Sequence, residues 1–212
     1  MATTKKVSVK ESNKALEELN EKQLRNLEKT LIQIALKIAK RGEGALFVIG
    51  DVEYKPLVDQ AVPPFKITSN PKLLESLALI DGAVIINKEG IMEAYGVMIK
   101  STKTLKNFGT RHSAALSASK GDNLVVIVSE EDKKVKILKK EKMVMQIDAL
   151  QKNVEQSVSG AVEILESIGA GTIGTLGASL ILPALGIALL PGVIVFGSAY
   201  YLGKILTKKF GF

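Results

Sequence analysis

The sequence predicts an α/β or α+β domain built on a mixed sheet and followed by a C-terminal hydrophobic helical hairpin. Three observations predict it. Short β-branched runs, residues 45–49 (ALFVI) and 124–128 (LVVIV), are too short for helices and suit buried strands. Leu24, Leu27, Leu31, Ile34, Ala35 and Ile38 recur at three- and four-residue steps, one apolar face of a helix. Between Glu166 and Lys204 lie 37 residues without a charge.

In chain order, residues 1–10 are polar, have no apolar run long enough for a signal peptide, and read as a disordered arm. Ser12 or Asn13 caps a helix that Gly42 stops. Residues 51–64 hold three of the six prolines and read as irregular. Asn70-Pro71 opens a helix with Leu73, Leu74, Leu77 and Ala78 inward. Residues 83–86 and 91–99 form a hairpin around the turn Asn87-Lys88-Glu89-Gly90. Gly109-Thr110 leads into a helix of small residues. Residues 133–140 alternate charge with Val135 and Ile137, the pattern of an edge strand guarded by lysine. Met143, Ile147, Leu150, Val154 and Val158 then make an amphipathic helix, either packed on the preceding domain or serving as a connector or dimer-forming helix.

Composition narrows the function. With no cysteine there is neither a disulfide framework nor a thiolate metal site. The net charge of +7 comes almost wholly from lysine, with three arginines and no tryptophan. Lysine charge without interleaved aromatics argues against nucleic acid and suits solubility or an anionic membrane surface. No internal repeat and no P-loop sequence is present.

The chemistry concentrates between Asp81 and Glu131. A Gly-Thr turn entering a helix offers free N–H groups and the positive end of a dipole, which suits an anion. Arg111 adds a fork for phosphate oxygens, beside His112, the chain's only histidine. Asp81 can orient or deprotonate a hydroxyl, and Gly82 permits close approach to the backbone. Glu130 and Glu131 are oxygen donors of the kind Mg²⁺ or Mn²⁺ takes beside phosphates. Together these parts describe a nucleotide phosphate site.

Asp81-Gly82-Ala83, then residues 109–116 (GTRHSAAL), then residues 128–131 (VSEE), in that order within about fifty residues, resemble the diadenylate cyclase family, whose members make cyclic di-AMP from two ATP. The resemblance covers roughly residues 24–138 and implies a central mixed sheet flanked by helices. It implies Asp81 as the catalytic group and Gly82, Ala83, Thr110, Arg111, His112, Ser113 and Ser129 as ATP-binding residues. A divalent ion, Mn²⁺ or Mg²⁺, falls to Glu131. It also implies a homodimer or transient face-to-face association, because each domain holds half of the reaction. One departure stands out: the family's usual second arginine is Ser113 here, which keeps a hydrogen bond but loses a charge. That change suggests the alternative of a nucleotide-binding membrane sensor with impaired turnover.

The uncharged stretch is too long for one span and marginal for two, and Pro183-Ala184-Leu185-Gly186 divides it near the middle. Lysines flank both ends, so both ends face the cytoplasm and the arms form a lipid-anchored hairpin. A re-entrant hairpin and a soluble helical pair remain alternatives. The resulting division is an N-terminal arm and helix start at 1–20 and a catalytic domain at 21–140. A connector helix at 141–160, a transmembrane hairpin at 161–207 and a basic tail at 208–212 follow. The expected placement is a membrane anchor with the catalytic domain on the cytoplasmic face.

Overall fold

The computed structural model describes residues 3–100, 110–169 and 190–195. Helix α1 (Thr3–Arg41) leads into β1 (Ala45–Ile49), β2 (Tyr54–Pro56), β3 (Phe65–Lys66) and α2 (Pro71–Leu77). The hairpin of β4 (Ala83–Ile86) and β5 (Ile91–Ile99) follows, then α3 (Thr110–Ala118) and β6 (Leu124–Ser129). After these come β7 (Lys134–Lys139), β8 (Lys142–Asp148), a 3₁₀ turn, α4 (Val158–Gly169) and β9 (Val193–Val195). Among the described residues the strands form one mixed sheet in the order β2-β5-β4-β1-β6-β7-β8-β9, with β3 on β5. The β1–β4 pair is parallel and every other pair antiparallel. This is the expected mixed sheet flanked by helices.

Period-two alternation sorts the central strands into two cores. Ala45, Phe47, Ile49, Val84, Ile86, Val126 and Val128 face α1, α2 and α4. Leu46, Val48, Ala83, Ile85, Val125 and Ile127 face α3. Sheet strands covered on both faces must be apolar on both, so β1, β4 and β6 read as continuous hydrophobic runs. Leu27, Leu31, Ile34, Ala35 and Ile38 are buried as their spacing demands, whereas Leu24 is 41% exposed. The β4–β5 turn is held by Asn87, whose side-chain oxygen accepts from the N–H groups of Glu89 and Ile91. At the same end of the sheet the Asn123 side chain joins Asp51 to the carbonyl of Ala118, pinning the end of α3 to the end of β1.

Several expectations are corrected. α1 begins at Thr3, so the backbone of the expected arm is helical. The irregular stretch contains the short strand β2, and Leu73 of α2 is 38% exposed. β7 is not an edge strand, because β8 and β9 lie beyond it. Where the apolar steps from Met143 predict a helix, residues 142–148 form strand β8, with Met145 and Ile147 buried. The reason is the turn. Lys140 and Glu141 both adopt positive φ (51° and 57°), the geometry of a tight hairpin turn, without the Asn or Gly that announces one.

The expected transmembrane hairpin begins and returns differently. Val158, Ala161, Val162 and Leu165 of α4 are buried in the domain core, and Arg25 of α1 grips Glu166 through two 2.8 Å hydrogen bonds. Residues 193–195 pair with β8 as a strand, and the Ser157 hydroxyl donates to the Pro191 carbonyl at 3.0 Å. The segment leading into the uncharged stretch, and residues 190–195 within it, are therefore tied to the sheet and to α1. Residues 170–189 and 196–212, which carry most of that expectation, lie outside the described residues, as does Gly109. Among the described residues no helix is long and apolar enough to cross a membrane.

Candidate active site

Strand register brings the three polar clusters together. Ala45 pairs with Val128, so the start of β1 meets the end of β6. Phe47 pairs with Val84 in parallel, so the start of β4 lies at that same end of the sheet. Ala83 pairs with Val97, which adds the end of β5. Asp81-Gly82, Gly44 and Ser129-Glu130-Glu131 thus flank one sheet end, and α3 covers the face beside it. The result is a cleft of about 990 Å³. Leu46, Ala83, Val97 and Ile127 contribute its apolar lining, and Thr110, Arg111 and His112 line it from α3.

Every site residue expected from the sequence lines this cleft except Ser113. Ser113 is only 6% exposed and is packed inward on the same face of α3 as Ser117, one turn on. Asp81 is exposed at the cleft. Gly82 has φ +112°, and a Cβ there would stand 2.7–2.8 Å from the backbone of Gly96 and Val97. Its lack of a side chain therefore serves, at least, the close approach of the Asp81 segment to β5.

Electrostatics shape the other wall. The Ser129 hydroxyl hydrogen-bonds the Asp132 carboxylate, and Lys136 Nζ lies 3.0 Å from Asp132 Oδ2. These two hydrogen bonds outweigh partial burial and hold Asp132 below the usual carboxylate range. Lys136 Nζ also lies 3.3 Å from His112 Nε2. Burial first, and the Lys136 charge second, push the His112 pKa below its ordinary value. Arg111 Nη1, half-buried, lies 3.9 Å from the exposed Glu130 Oε2, at the limit of contact.

Sequence reasoning missed Gly44, Asp132 and Lys136. A Cβ on Gly44 would collide with the Arg111 guanidinium, its Cζ 3.0 Å away, so the glycine is the shelf on which that side chain rests. Residues 132–136 were legible only as an acidic turn and an alternating strand.

Among the described residues no group of three His, Cys, Asp or Glu side chains is placed to hold a metal. Glu131 stands exposed at the cleft. Mg²⁺ and Mn²⁺ suit such a place only with phosphate oxygens completing the shell, since Mg²⁺ typically takes one or two carboxylates beside substrate phosphates. The donor set fits an ion that arrives with a nucleotide.

Residues 33–143, a little over half of the chain, match the family described as DisA bacterial checkpoint controller nucleotide-binding (DAC). The chain belongs to the diadenylate cyclase (DAC) family. A diadenylate cyclase of Haloferax volcanii is 29% identical, the match covering 56% of this chain and 51% of that protein. The diadenylate cyclase CdaS of Bacillus thuringiensis is 34% identical, covering 44% of this chain and 51% of its own. The DAC chain thus spans about half the length of the curated relatives it matches. A solved structure of a DacA double mutant from Staphylococcus aureus aligns at 25% identity and TM-score 0.41, over 55% of this chain and 83% of that one. The DAC match includes all three clusters at the cleft.

Proposed function

We propose that the chain is a diadenylate cyclase that condenses two ATP into cyclic di-AMP and two pyrophosphates across a face-to-face pair of domains. One observation carries the reading: Asp81, Arg111 and Ser129, from three separate elements, line a single cleft. Its volume, about 990 Å³, suits one nucleotide per domain.

The 3′-hydroxyl of one ATP attacks the α-phosphorus of the ATP held by the facing domain. A bond forms between that phosphorus and the 3′-oxygen, and the bond to the β-phosphate oxygen breaks, releasing pyrophosphate. The same step in the other direction closes the ring. Asp81 orients the hydroxyl and accepts its proton. Arg111, Thr110, His112 and Ser129 hold the phosphates as charge shifts toward the leaving group. A divalent ion, Mn²⁺ or Mg²⁺, held by Glu131 and phosphate oxygens, would supply positive charge beside the departing pyrophosphate.

The rival, a nucleotide-binding sensor without turnover, was suggested by Ser113. Because Ser113 is packed inward, its missing charge is a weaker reason for that reading. Incubation with ATP and Mn²⁺ or Mg²⁺, followed by chromatography for cyclic di-AMP, separates the two. Product supports the cyclase, and bound ATP without product at any protein concentration supports the sensor.

Attachment to a membrane on its cytoplasmic side belongs to the same proposal and rests on the uncharged stretch with its flanking lysines. Full-length protein should stay with membranes through carbonate washing. Release by carbonate would limit the attachment to a peripheral one.

A further inference from the structure

Lys136 is an unusual lysine. Alternation along β7 sends Val135 and Ile137 into one core, and Lys136, paired with Ile127, falls on the opposite face, toward α3 and the cleft. Its side chain is only 12% exposed. A lysine is seldom so covered unless its charge is paired. Here two partners meet it, Asp132 Oδ2 at 3.0 Å and His112 Nε2 at 3.3 Å.

The histidine contact has one reading. An ammonium group donates and never accepts, so His112 Nε2 must accept with its lone pair. The imidazole is then neutral, with its proton on Nδ1. In this arrangement His112 brings no positive charge to the cleft. Among the described residues the charged groups at the cleft are Asp81, Glu130, Glu131 and Asp132 against Lys100, Arg111 and Lys136. Lys100 is 75% exposed, so Arg111 and Lys136 are the two sheltered cations among these. A triphosphate needs more than one, and Ser113 supplies none.

We propose that Lys136 is an anion-binding residue of this cleft, taking a phosphate oxygen of the nucleoside triphosphate while Asp132 and His112 position its ammonium group. The proposal rests on the cyclase reading for the nucleoside but not for the anion. Asp132 and His112 take two of the three ammonium donors and hold it at the cleft wall, and the third is left for the incoming phosphate oxygen.

Titration calorimetry of the full chain with two probes tests this, using 3′-deoxy-ATP, which cannot be cyclised, and inorganic tripolyphosphate. Lys136→Gln keeps a donor for His112 and removes the charge, and Lys136→Arg keeps the charge. Lys136→Gln should weaken both probes about 10- to 100-fold, and Lys136→Arg should restore much of the loss. Adenosine, which lacks phosphate, should bind Lys136→Gln as it binds the natural chain. Unchanged affinity for both probes in Lys136→Gln would overturn the proposal, and so would an equal loss of adenosine, which marks a merely structural residue. If the natural chain binds tripolyphosphate but neither 3′-deoxy-ATP nor adenosine, the cyclase reading fails while loss in Lys136→Gln still upholds the anion site. If it binds none of the three, both readings fall.

Discussion

The guanidinium of Arg111 rests on the bare Cα of Gly44, with its Cζ 3.0 Å from where a Cβ would stand. Two residues 67 positions apart thus fix the guanidinium that the proposed function assigns to phosphate. Gly44→Ala should displace the guanidinium without unfolding the chain, because φ at Gly44 is not in the left-handed region and the obstructing atoms end a flexible side chain. ATP affinity should fall about tenfold or more, approaching that of Arg111→Ala, with little change in melting temperature. Calorimetry and a thermal melt on both variants check it, and normal affinity in Gly44→Ala would separate the shelf from function.

Asp81→Asn should remove synthesis and spare binding. Asp81 lies two residues before β4, while Thr110, Arg111 and His112 come from α3. Loss of a general base costs about 10²- to 10⁴-fold in rate, and affinity for 3′-deoxy-ATP should stay within about twofold. Equal loss of both would make Asp81 structural.

Ser113→Arg restores the usual family residue in a place that is 6% exposed. A guanidinium there must either be buried without a designed partner or disturb the packing of α3 on the sheet. The expected outcome is a lower melting temperature and no gain in ATP affinity. A stable variant that binds ATP more tightly would show that the side chain reaches the cleft.

Glu28 on α1 is 7% exposed, with Oε2 lacking a partner. Burial, aided by the Glu166 charge and opposed by Lys139 and Arg25, raises its pKa from 4.5 to about 7. A carboxyl raised in the folded state holds its proton while the unfolded chain has lost it. Its contribution to stability is therefore full below pH 4.5, declines as pH rises to about 7, and is flat above. Urea denaturation at pH 5 and pH 8 should show Glu28→Gln gaining on the natural chain by about 2–3 kcal/mol between the two conditions. A pH-independent difference would mean that Glu28 is ionised or solvated in the folded protein.

The sequence determined what local periodicity and turn chemistry can determine. Alternation and β-branching placed β1, β4, β5 and β6, apolar steps placed the buried half of α1, and Asn87 to Gly90 placed a hairpin turn. The order of three polar clusters pointed to one phosphate site, and all but Ser113 of its residues line the cleft. Where sequence signals were borrowed by other structures, it misled. Lys140 and Glu141 turn the chain with positive φ and no glycine, so β8 read as a helix and β7 as an edge. Only the tertiary structure decided which distant groups meet. Pairing of Ala45 with Val128 and of Phe47 with Val84 brings Gly44, Asp81 and Ser129 to one end of the sheet. The contacts of Arg111 with Gly44, and of Lys136 with His112, follow from that register. Periodicity reports which face a side chain takes on its own element, whereas a site is made by the pairing between elements, which no local pattern encodes.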